Sequence, residues 1–468
     1  MNRFINARFI QKASYTTKSL LPNKTIKTLL KEDTQQVSVR GWVRSVRKQK
    51  QVSFATVNDG STLKGIQAIL NEKDAQLLTT GACVELQGSL IESPGKEQTK
   101  ELQVSGIKVL GECDSTYPLQ KKRHTNEFLR SIGHLRMRGN TGSAVLRVRN
   151  AASEGIRDFF RDQEFILTNT PILTSHDCEG GGEVFKITPV DSKEPTEFFK
   201  KPVYLTVSGQ LHAEIMASAM SRVYTFGPAF RAEESLTSRH LAEFWMLEAE
   251  MAFIDDMGPL LDVTEGSVQQ TTRYVMDQCS EDLAFFNQWV DKSLLERLQK
   301  SIDKPFVRMT YTEAIEVLQK VQDKEKNKFK YPTTWGSSLQ SEHERYLASE
   351  YCQQPVFVTD YPSELKPFYM RANEDGKTVG CFDLLLPGIG ELVGGSMREE
   401  RYSILEQKMK DAKMDMEEYQ WYLDLRKYGS APHGGYGIGF ERLLLWLTGL
   451  ENVREVIPMP RWVGSCKY

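Results

Sequence analysis

From Val37 to about Gly111 apolar residues tend to alternate with polar ones, in "VSVRGWV", "VSFATV", "VELQGSL" and "LQVSGIKVL", with turn signals at "NDGS" and "SPGKE". A period of two over short runs joined by tight turns predicts the strands of a small barrel or sandwich, here 35–112. The pattern then lapses. "STYPLQKKRHTNEFLRS" is polar and basic with little periodicity, and reads as a linker or hinge over 113–138.

From about Thr141 a period of three to four takes over. "SAVLRVRNAASEGIRDFFRDQ" places Val145, Val148, Ala152, Ile156, Phe159 and Phe160 on one helical face and opens a second domain, 139–468. Within it, helices near 206–220, 258–276, 282–300, 341–351 and 399–412 interleave with strands near 223–231, 243–254, 356–359, 379–386, 391–397 and 434–440. Loops join most strand pairs, so the expected fold class is α+β, an antiparallel sheet flanked by helices behind an N-terminal β-barrel.

Composition narrows the function classes. A chain of 468 residues exceeds what one core usually supports, in keeping with two domains. A net charge of −2 excludes a uniformly basic nucleic-acid binder and leaves room for a local basic patch. No run of eighteen apolar residues is present, so no membrane partner is expected. The seven cysteines are scattered without a CxxC, which predicts reduced thiols and no structural zinc. Residues 1–30 carry Arg3, Arg8, Lys12 and Lys18, and the first acid is Glu32; this composition suits a mitochondrial or plastid transit peptide, or a basic tail.

Three stretches could carry chemistry. In "RVYTFGPAFRAEESLTSRHLAEFWMLEAE" (222–250), period two leads small residues up to Arg231 and puts Phe244, Met246, Glu248 and Glu250 on one face, joined by a polar loop with Arg239 and His240. Such a hairpin could sandwich a planar group against Phe244 while arginines hold phosphates; the residues equally suit an exposed hairpin laced with ion pairs. In "PHGGYGIGFERLLLWLTGL" the alternating Gly435, Gly437 and Gly439 leave one strand face bare, for a ligand or for tight packing, and Arg442 follows in the first turn of a helix. The spacing fits neither a Rossmann fingerprint nor a P-loop, so nucleotide phosphates would need side-chain arginines. In "CFDLLLPGIGELVGGSMREER", Asp383 and Glu391 offer oxygen ligands for Mg²⁺ beside Arg398. Strand parity sets Glu391 and Arg398 on opposite faces, so joint service in one site requires a bulge, expected at Gly394–Gly395.

In this order the three stretches resemble motifs two and three, and the Glu-bearing strand between them, of class II aminoacyl-tRNA synthetases. The helix 143–163 with "FILTNTPILT" resembles motif one, whose proline at the dimer interface matches Pro171. Barrel first and catalytic domain second is the order of the aspartyl, asparaginyl and lysyl subgroup. "SHDCEGGGEVF", "VSGQLHAE", "FGPAFRAEESLTSRHLAEFWMLE", "SEHERYLA" and "RKYGSAPHGGYGIGFERLL" are similar to the asparaginyl enzymes of bacterial and organellar type.

The resemblance implies an OB-fold anticodon-binding barrel and a class II catalytic domain that ligates L-asparagine to tRNA(Asn) through an asparaginyl-adenylate, with Mg²⁺ and ATP. It also implies a homodimer and, with the leader, the mitochondrial matrix; a plastid or dual location is the lesser expectation. By motif matching, Arg231 grips the α-phosphate and carboxylate, Phe244 stacks on adenine, Glu233 holds its amino group and Arg442 binds the γ-phosphate. Arg239 and His240 stand at the ATP site, Asp383 and Glu391 hold the metal, and Glu183 and Gln210 contact the substrate's backbone. In "RGWVRSVRKQKQVSF", Arg40, Arg44 and Phe54 combine cations with a stacking aromatic, as single-stranded RNA requires. A solvated basic hairpin with Phe54 in the core is the alternative.

One substitution separates substrates. Aspartyl enzymes carry a lysine where this chain has Ala213, and without that cation a buried aspartate carboxylate would cost several kcal/mol. Glu248 could accept from a carboxamide NH₂ and Arg398 donate to its oxygen. Lys366, in place of the aspartyl family's histidine, departs in the same direction. The competing readings are an aspartyl enzyme without strict discrimination, a catalytically silent RNA-binding paralogue, and an ammonia-dependent asparagine synthetase. Retention of Arg231, Arg442, Asp383 and Glu391 opposes the second, and an RNA-binding barrel opposes the third.

Overall fold

The computed structural model describes residues 21, 23–32, 35–49, 51–95, 98–122, 124–176, 183–190 and 198–468. The chain divides into two compact units between Leu129 and Arg130.

In the first unit five strands, β1 (Gln36–Arg47), β2 (Ser53–Asn58), β3 (Ile66–Leu70), β4 (Cys83–Glu92) and β5 (Lys100–Gly111), close into a barrel of order β1-β2-β3-β5-β4. The period-two apolar residues make its core: Val39, Val43, Ala55, Val57, Ile66, Ala68, Val84, Leu86 and Leu102 are all buried. Full burial of each Val, Leu or Ile contributes about 1.5–3 kcal/mol. The helix Ile26–Lys31 also belongs to this unit. Its Ile26 and Leu29 pack into the barrel core, and the Ile26 N–H donates to Asp59 Oδ2 at 2.8 Å. The helix falls inside the 1–30 stretch expected as a leader, whose residues 1–20 and 22 lie outside the described region.

The second unit is built on an eight-stranded sheet. Its strands in chain order are β6 (Ile166–Leu167), then after a small pair β7 (Leu173–Thr174) and β8 (Tyr204–Leu205), β9 (Arg222–Phe230), β10 (Glu243–Ala252), β11 (Val307–Thr310), β12 (Val356–Thr359), β13 (Cys381–Leu386), β14 (Gly390–Met397) and β15 (His433–Gly439). They lie in the order β11-β12-β13-β14-β15-β10-β9-β6. The pairs inside the sheet are antiparallel as expected, while the outermost pairs, β11 with β12 and β6 with β9, are parallel. The helix Asn140–Asp162 buries its Val148, Ala152, Ile156 and Phe160 stripe, and Gly155 lets the helix Met257–Gln278 approach, since a Cβ there would lie 3.0 Å from Tyr274.

Three expectations need correction. The linker 113–138 ends in helices, Asn126–Ser131 and Gly133–Arg136, and buried Arg136 donates to the carbonyls of Arg454 and Pro458, so the catalytic unit starts near Arg130 rather than at 139. The expected helix 282–300 is two, Ser280–Trp289 and Leu294–Asp303, because Asp291 accepts from the Ser293 N–H and turns the chain. The register shift in β14 lies at Leu392, between the pairs Leu384↔Val393 and Leu385↔Glu391, not at Gly394–Gly395. The shift still brings Glu391 onto the face shared by Gly394 and Arg398, as a bulge must.

Candidate active site

β10 runs between β9 and β15, and its face carries Phe244, Met246, Glu248 and Glu250 in turn. Across β15 each of the last three faces a glycine: Met246↔Gly439, Glu248↔Gly437 and Glu250↔Gly435. A Cβ on Gly435 would lie 2.2 Å from Glu250 Cδ, and one on Gly437 would lie 2.9 Å from Met246 Cε. The bare strand face thus makes room for the β10 side chains. Above this floor lies a cavity of ≈ 340 Å³, lined by Gln210, Arg231, Glu233, Arg239, His240, Phe244, Glu248, Asp383, Glu391, Arg398 and Arg442. All were expected at one site.

One end is rich in arginine. Arg231 follows β9 directly, with its guanidinium carbon 5.5 Å from the Phe244 ring centroid and Nη1 3.8 Å from Glu233. Glu233 is also held by His240, whose Nε2 lies 3.1 Å away, while Ser235 fixes the other ring nitrogen at 3.0 Å. Arg239 Nη1 donates to Ser341 Oγ at 3.0 Å and lies 3.9 Å from Glu344. Arg442 stands in the first turn of the helix Phe440–Thr448 and donates to the Glu391 carbonyl at 3.1 Å, with Glu391 Oε2 3.4 Å away.

Asp383 and Glu391 sit on adjacent strands. A Cβ on Gly394 would lie 3.6 Å from Glu391 Oε1 and 3.8 Å from Asp383 Oδ1, so the two carboxylates share one patch of wall. Lys366 Nζ donates to both oxygens of Asp383, at 2.9 and 3.1 Å. Burial pushes the Asp383 carboxyl up, against the pull of Lys366 and with the repulsion of Glu391. Glu391 is held below the usual range, because Arg442, Lys366 and Arg231 outweigh its desolvation. Among the described residues no cluster of three or more His, Cys, Asp or Glu could hold a metal unaided. Two hard oxygen ligands fit a Mg²⁺ ion whose remaining positions come from water and substrate phosphates.

The other end is tightly bonded. Arg398 donates from Nε and Nη2 to Glu250 and from Nη1 to Ser396 Oγ at 2.7 Å. Glu248 accepts from Ser208 Oγ and, at 2.7 Å, from the Gly209 N–H. Burial outweighs these bonds and pushes the Glu248 carboxyl up. Gln210 donates to Glu214 at 3.2 Å, and Ala213 is fully buried, so no cation stands at that position.

Glu183 is the exception. Its side chain is exposed and does not line the cavity; its carbonyl accepts from the Ala232 N–H at 2.9 Å. It sits in a loop, where strand parity gives no direction, and 177–182 of the same motif lie outside the described residues. Sequence reasoning also missed Lys366 and Glu344 as cavity partners and gave Glu250 and Glu214 no role. Parity placed Glu250 beside Glu248, which was the available signal; nothing local marks the others.

On the barrel, Phe54 and Thr56 lie opposite the buried Ala55 and Val57, so Phe54 faces outward, half-buried, with the Arg47 guanidinium 5.0 Å from its ring. Arg40 is outward too and pairs with Glu85 at 2.9 Å, while Arg44 is the extra residue of a bulge between Val43 and Ser45. Trp42, exposed on the same outer face, was overlooked, although its place between Gly41 and Val43 in "RGWV" signals it.

A family model described as tRNA synthetases class II (D, K and N) matches residues 125–463, and one described as an OB-fold nucleic acid binding domain matches 37–110. The chain is 50% identical over 451 residues to the asparagine–tRNA ligase of Thermosynechococcus vestitus, covering 92% of this chain and 96% of that one. It is 51% identical over 450 residues to that of Protochlamydia amoebophila, covering 92% and 95%. Among solved structures, the asparaginyl-tRNA synthetase of Pyrococcus horikoshii complexed with asparaginyl-adenylate is similar, with a TM-score of 0.82, 30% identity and coverage of 92% and 96%.

Proposed function

The chain belongs to the class II tRNA synthetases of the D, K and N group, and from that premise we propose how its cavity charges tRNA(Asn) with asparagine. The activity is that of an asparagine–tRNA ligase, in which asparagine and ATP form an asparaginyl-adenylate and the asparaginyl group then passes to tRNA. The observation that carries the reading is one cavity with arginines and an aromatic at one end, and Glu248 with Arg398 beside buried Ala213 at the other.

The substrate carboxylate is already a nucleophile, so no general base is required and the protein supplies position and charge. Arg231 neutralises the α-phosphate as the carboxylate attacks, and Arg442 turns from Glu391 to the γ-phosphate. Phe244 stacks on adenine with Arg231 near its ring, and Glu233 accepts from the adenine amino group while His240 steadies its other oxygen. Arg239 and His240 close the rim of the nucleotide site. Asp383 and Glu391 would hold Mg²⁺, which when bound would neutralise phosphate charge; Lys366 pairs with Asp383. At the far end Glu248 accepts from the side-chain NH₂, Arg398 donates to its oxygen, and Gln210 contacts the substrate backbone. Glu183, outside the cavity, would need to move inward to meet the ammonium.

Trp42 and Phe54 stack anticodon bases, and Arg40 and Arg44 neutralise the phosphates nearby. The apolar Ile166, Leu167, Ile172 and Leu173, each exposed beside Pro171, form the face that a second copy covers in a homodimer. The leader directs the chain to the mitochondrial matrix, a reading supported by its cations and by the absence of acids before Glu32. No described helix is long and apolar enough to cross a membrane.

Aminoacylation of tRNA(Asn) transcripts with labelled asparagine tests the reaction. Charging that needs ATP and Mg²⁺ and fails on tRNA(Asp) is the expected result; charging of tRNA(Asp), or none in folded protein, contradicts it.

A further inference from the structure

Beneath the end of the cavity assigned to the asparagine side chain lies a buried ionic cluster whose Glu214, Glu250 and Arg426 the proposed reaction does not use. Glu214, on the helix Gln210–Met220, accepts from Tyr422 Oη at 2.8 Å and from Arg426 Nη2 at 2.7 Å, and its Oε2 lies 3.3 Å from His433 Nε2. Its other oxygen is 3.9 Å from Arg398 Nε. Glu250 takes the Nε and Nη2 donors of the same Arg398. Glu214, Glu248 and Glu250 thus gather around Arg398 and Arg426, with His433 at the edge and Arg231 also acting on Glu248.

Two consequences follow from this geometry. A guanidinium has five N–H groups in a rigid fork. Glu250 and Ser396 take three of those on Arg398, so one hydrogen on each terminal nitrogen is left for a ligand, in a direction fixed from below. The second consequence concerns charge. Arg398 lines the cavity, yet its cation is already matched by Glu250 and approached by Glu214, so it offers a hydrogen bond without a spare positive charge. A carboxamide needs only the hydrogen bond. A carboxylate needs a counter-charge as well, and Arg398, already paired with Glu250 and close to Glu214, has none to spare. Burial pushes the Glu250 carboxyl up and Arg398 pulls it down, with a smaller upward push from Glu214.

We infer that Glu214 and Glu250 are positioning and specificity-determining residues, which reject aspartate by cancelling the charge of Arg398 while fixing its direction. The inference rests on the reading that this cavity takes asparagine. It assigns discrimination to the residues under the pocket and not only to Glu248 and Arg398 at its surface. Glu214 directly follows Ala213, so loss of a cation and gain of an anion are neighbours in the chain.

The test is ATP–pyrophosphate exchange by the full-length enzyme, measured with asparagine and with aspartate, for wild type, Glu214→Gln, Glu214→Asp and Glu250→Gln. The Gln variants keep shape and remove one charge, at the loss of one acceptor, because an amide NH₂ replaces an oxygen that accepts in the wild type. Their ratio of kcat/KM for aspartate over asparagine should rise by about tenfold or more, because unit charges at this depth interact strongly. Glu214→Asp, which keeps the charge, should hold the ratio near that of wild type. A merely structural role would lower both substrates together, and an unmoved ratio in Glu214→Gln and Glu250→Gln would overturn the inference. Should Glu214→Gln fail to fold, Glu250→Gln decides by the same ratio. Wild-type protein without asparagine-dependent exchange would instead sink the functional reading, and the inference with it.

Discussion

The two ends of the cavity are built on opposite principles. At the nucleotide end Arg231 and Arg442 keep 29% and 30% of their side chains exposed, with oxygens of Glu233 and Glu391 3.8 and 3.4 Å away. At the amino-acid end Arg398 and Glu250 are 3% and 1% exposed and directly hydrogen-bonded, and Glu214 meets Arg426 at 2.7 Å. Partly exposed ion pairs cost less to break than buried ones, so these arginines can turn onto phosphates when ATP arrives. Buried pairs lose several kcal/mol when one partner is removed, so they stay where folding set them. One end is ready to rearrange around a large anion, and the other is fixed around a small neutral group.

This contrast can be broken by substitution. Arg231→Ala should lower pyrophosphate exchange by about 10³-fold, in line with the loss of a charge-stabilising donor, and move the thermal midpoint far less than loss of a fully buried group, because 29% of the side chain is in solvent. A large drop in the midpoint would put Arg231 with the fixed groups. Gly435→Ala strikes the fixed end: its Cβ would fall 2.2 Å from Glu250 and 2.3 Å from the Ala249 carbonyl. Overpacking there should cost about 1–3 kcal/mol in denaturant unfolding and raise KM for asparagine more than KM for ATP. Phe244→Leu should raise KM for ATP about tenfold, the scale of one lost stacking contact, and scarcely alter KM for asparagine. The smallest effect lies in the barrel. Phe54→Ala should raise KM for tRNA about fivefold, or about 1 kcal/mol, the low end of a base-stacking contact, with exchange, which needs no tRNA, as the reference.

The sequence was most legible where a residue's role follows from its immediate neighbours. β12 matches its expected bounds at Val356–Thr359, and β9, β10 and β15 lie within two residues of theirs, because period two is a local pattern. The same parity put Phe244, Glu248 and Glu250 on one face. What could not be read depends on pairing between distant segments. The bulge at Leu392 depends on how β13 pairs with β14, and the Lys366–Asp383 bridge joins residues 17 apart. Glu214, Arg398 and Arg426 meet only because the helix Gln210–Met220 and the segments around 398 and 426 pack on one another, so a buried acid looked like an ordinary helix carboxylate. The helix near 341–351 ran as expected but changes from α to π at Tyr346, a hydrogen-bond slip that periodicity does not register.

The central claim is that the amino-acid end is fixed for a neutral carboxamide. Pyrophosphate exchange by the wild-type enzyme, with asparagine and aspartate in parallel at saturating ATP, tests it most directly. The account predicts exchange with asparagine and a kcat/KM for aspartate lower by about 10⁴-fold, as expected of a site whose buried polar groups would be left wrongly paired. Aspartate-dependent exchange within about tenfold of asparagine would contradict it.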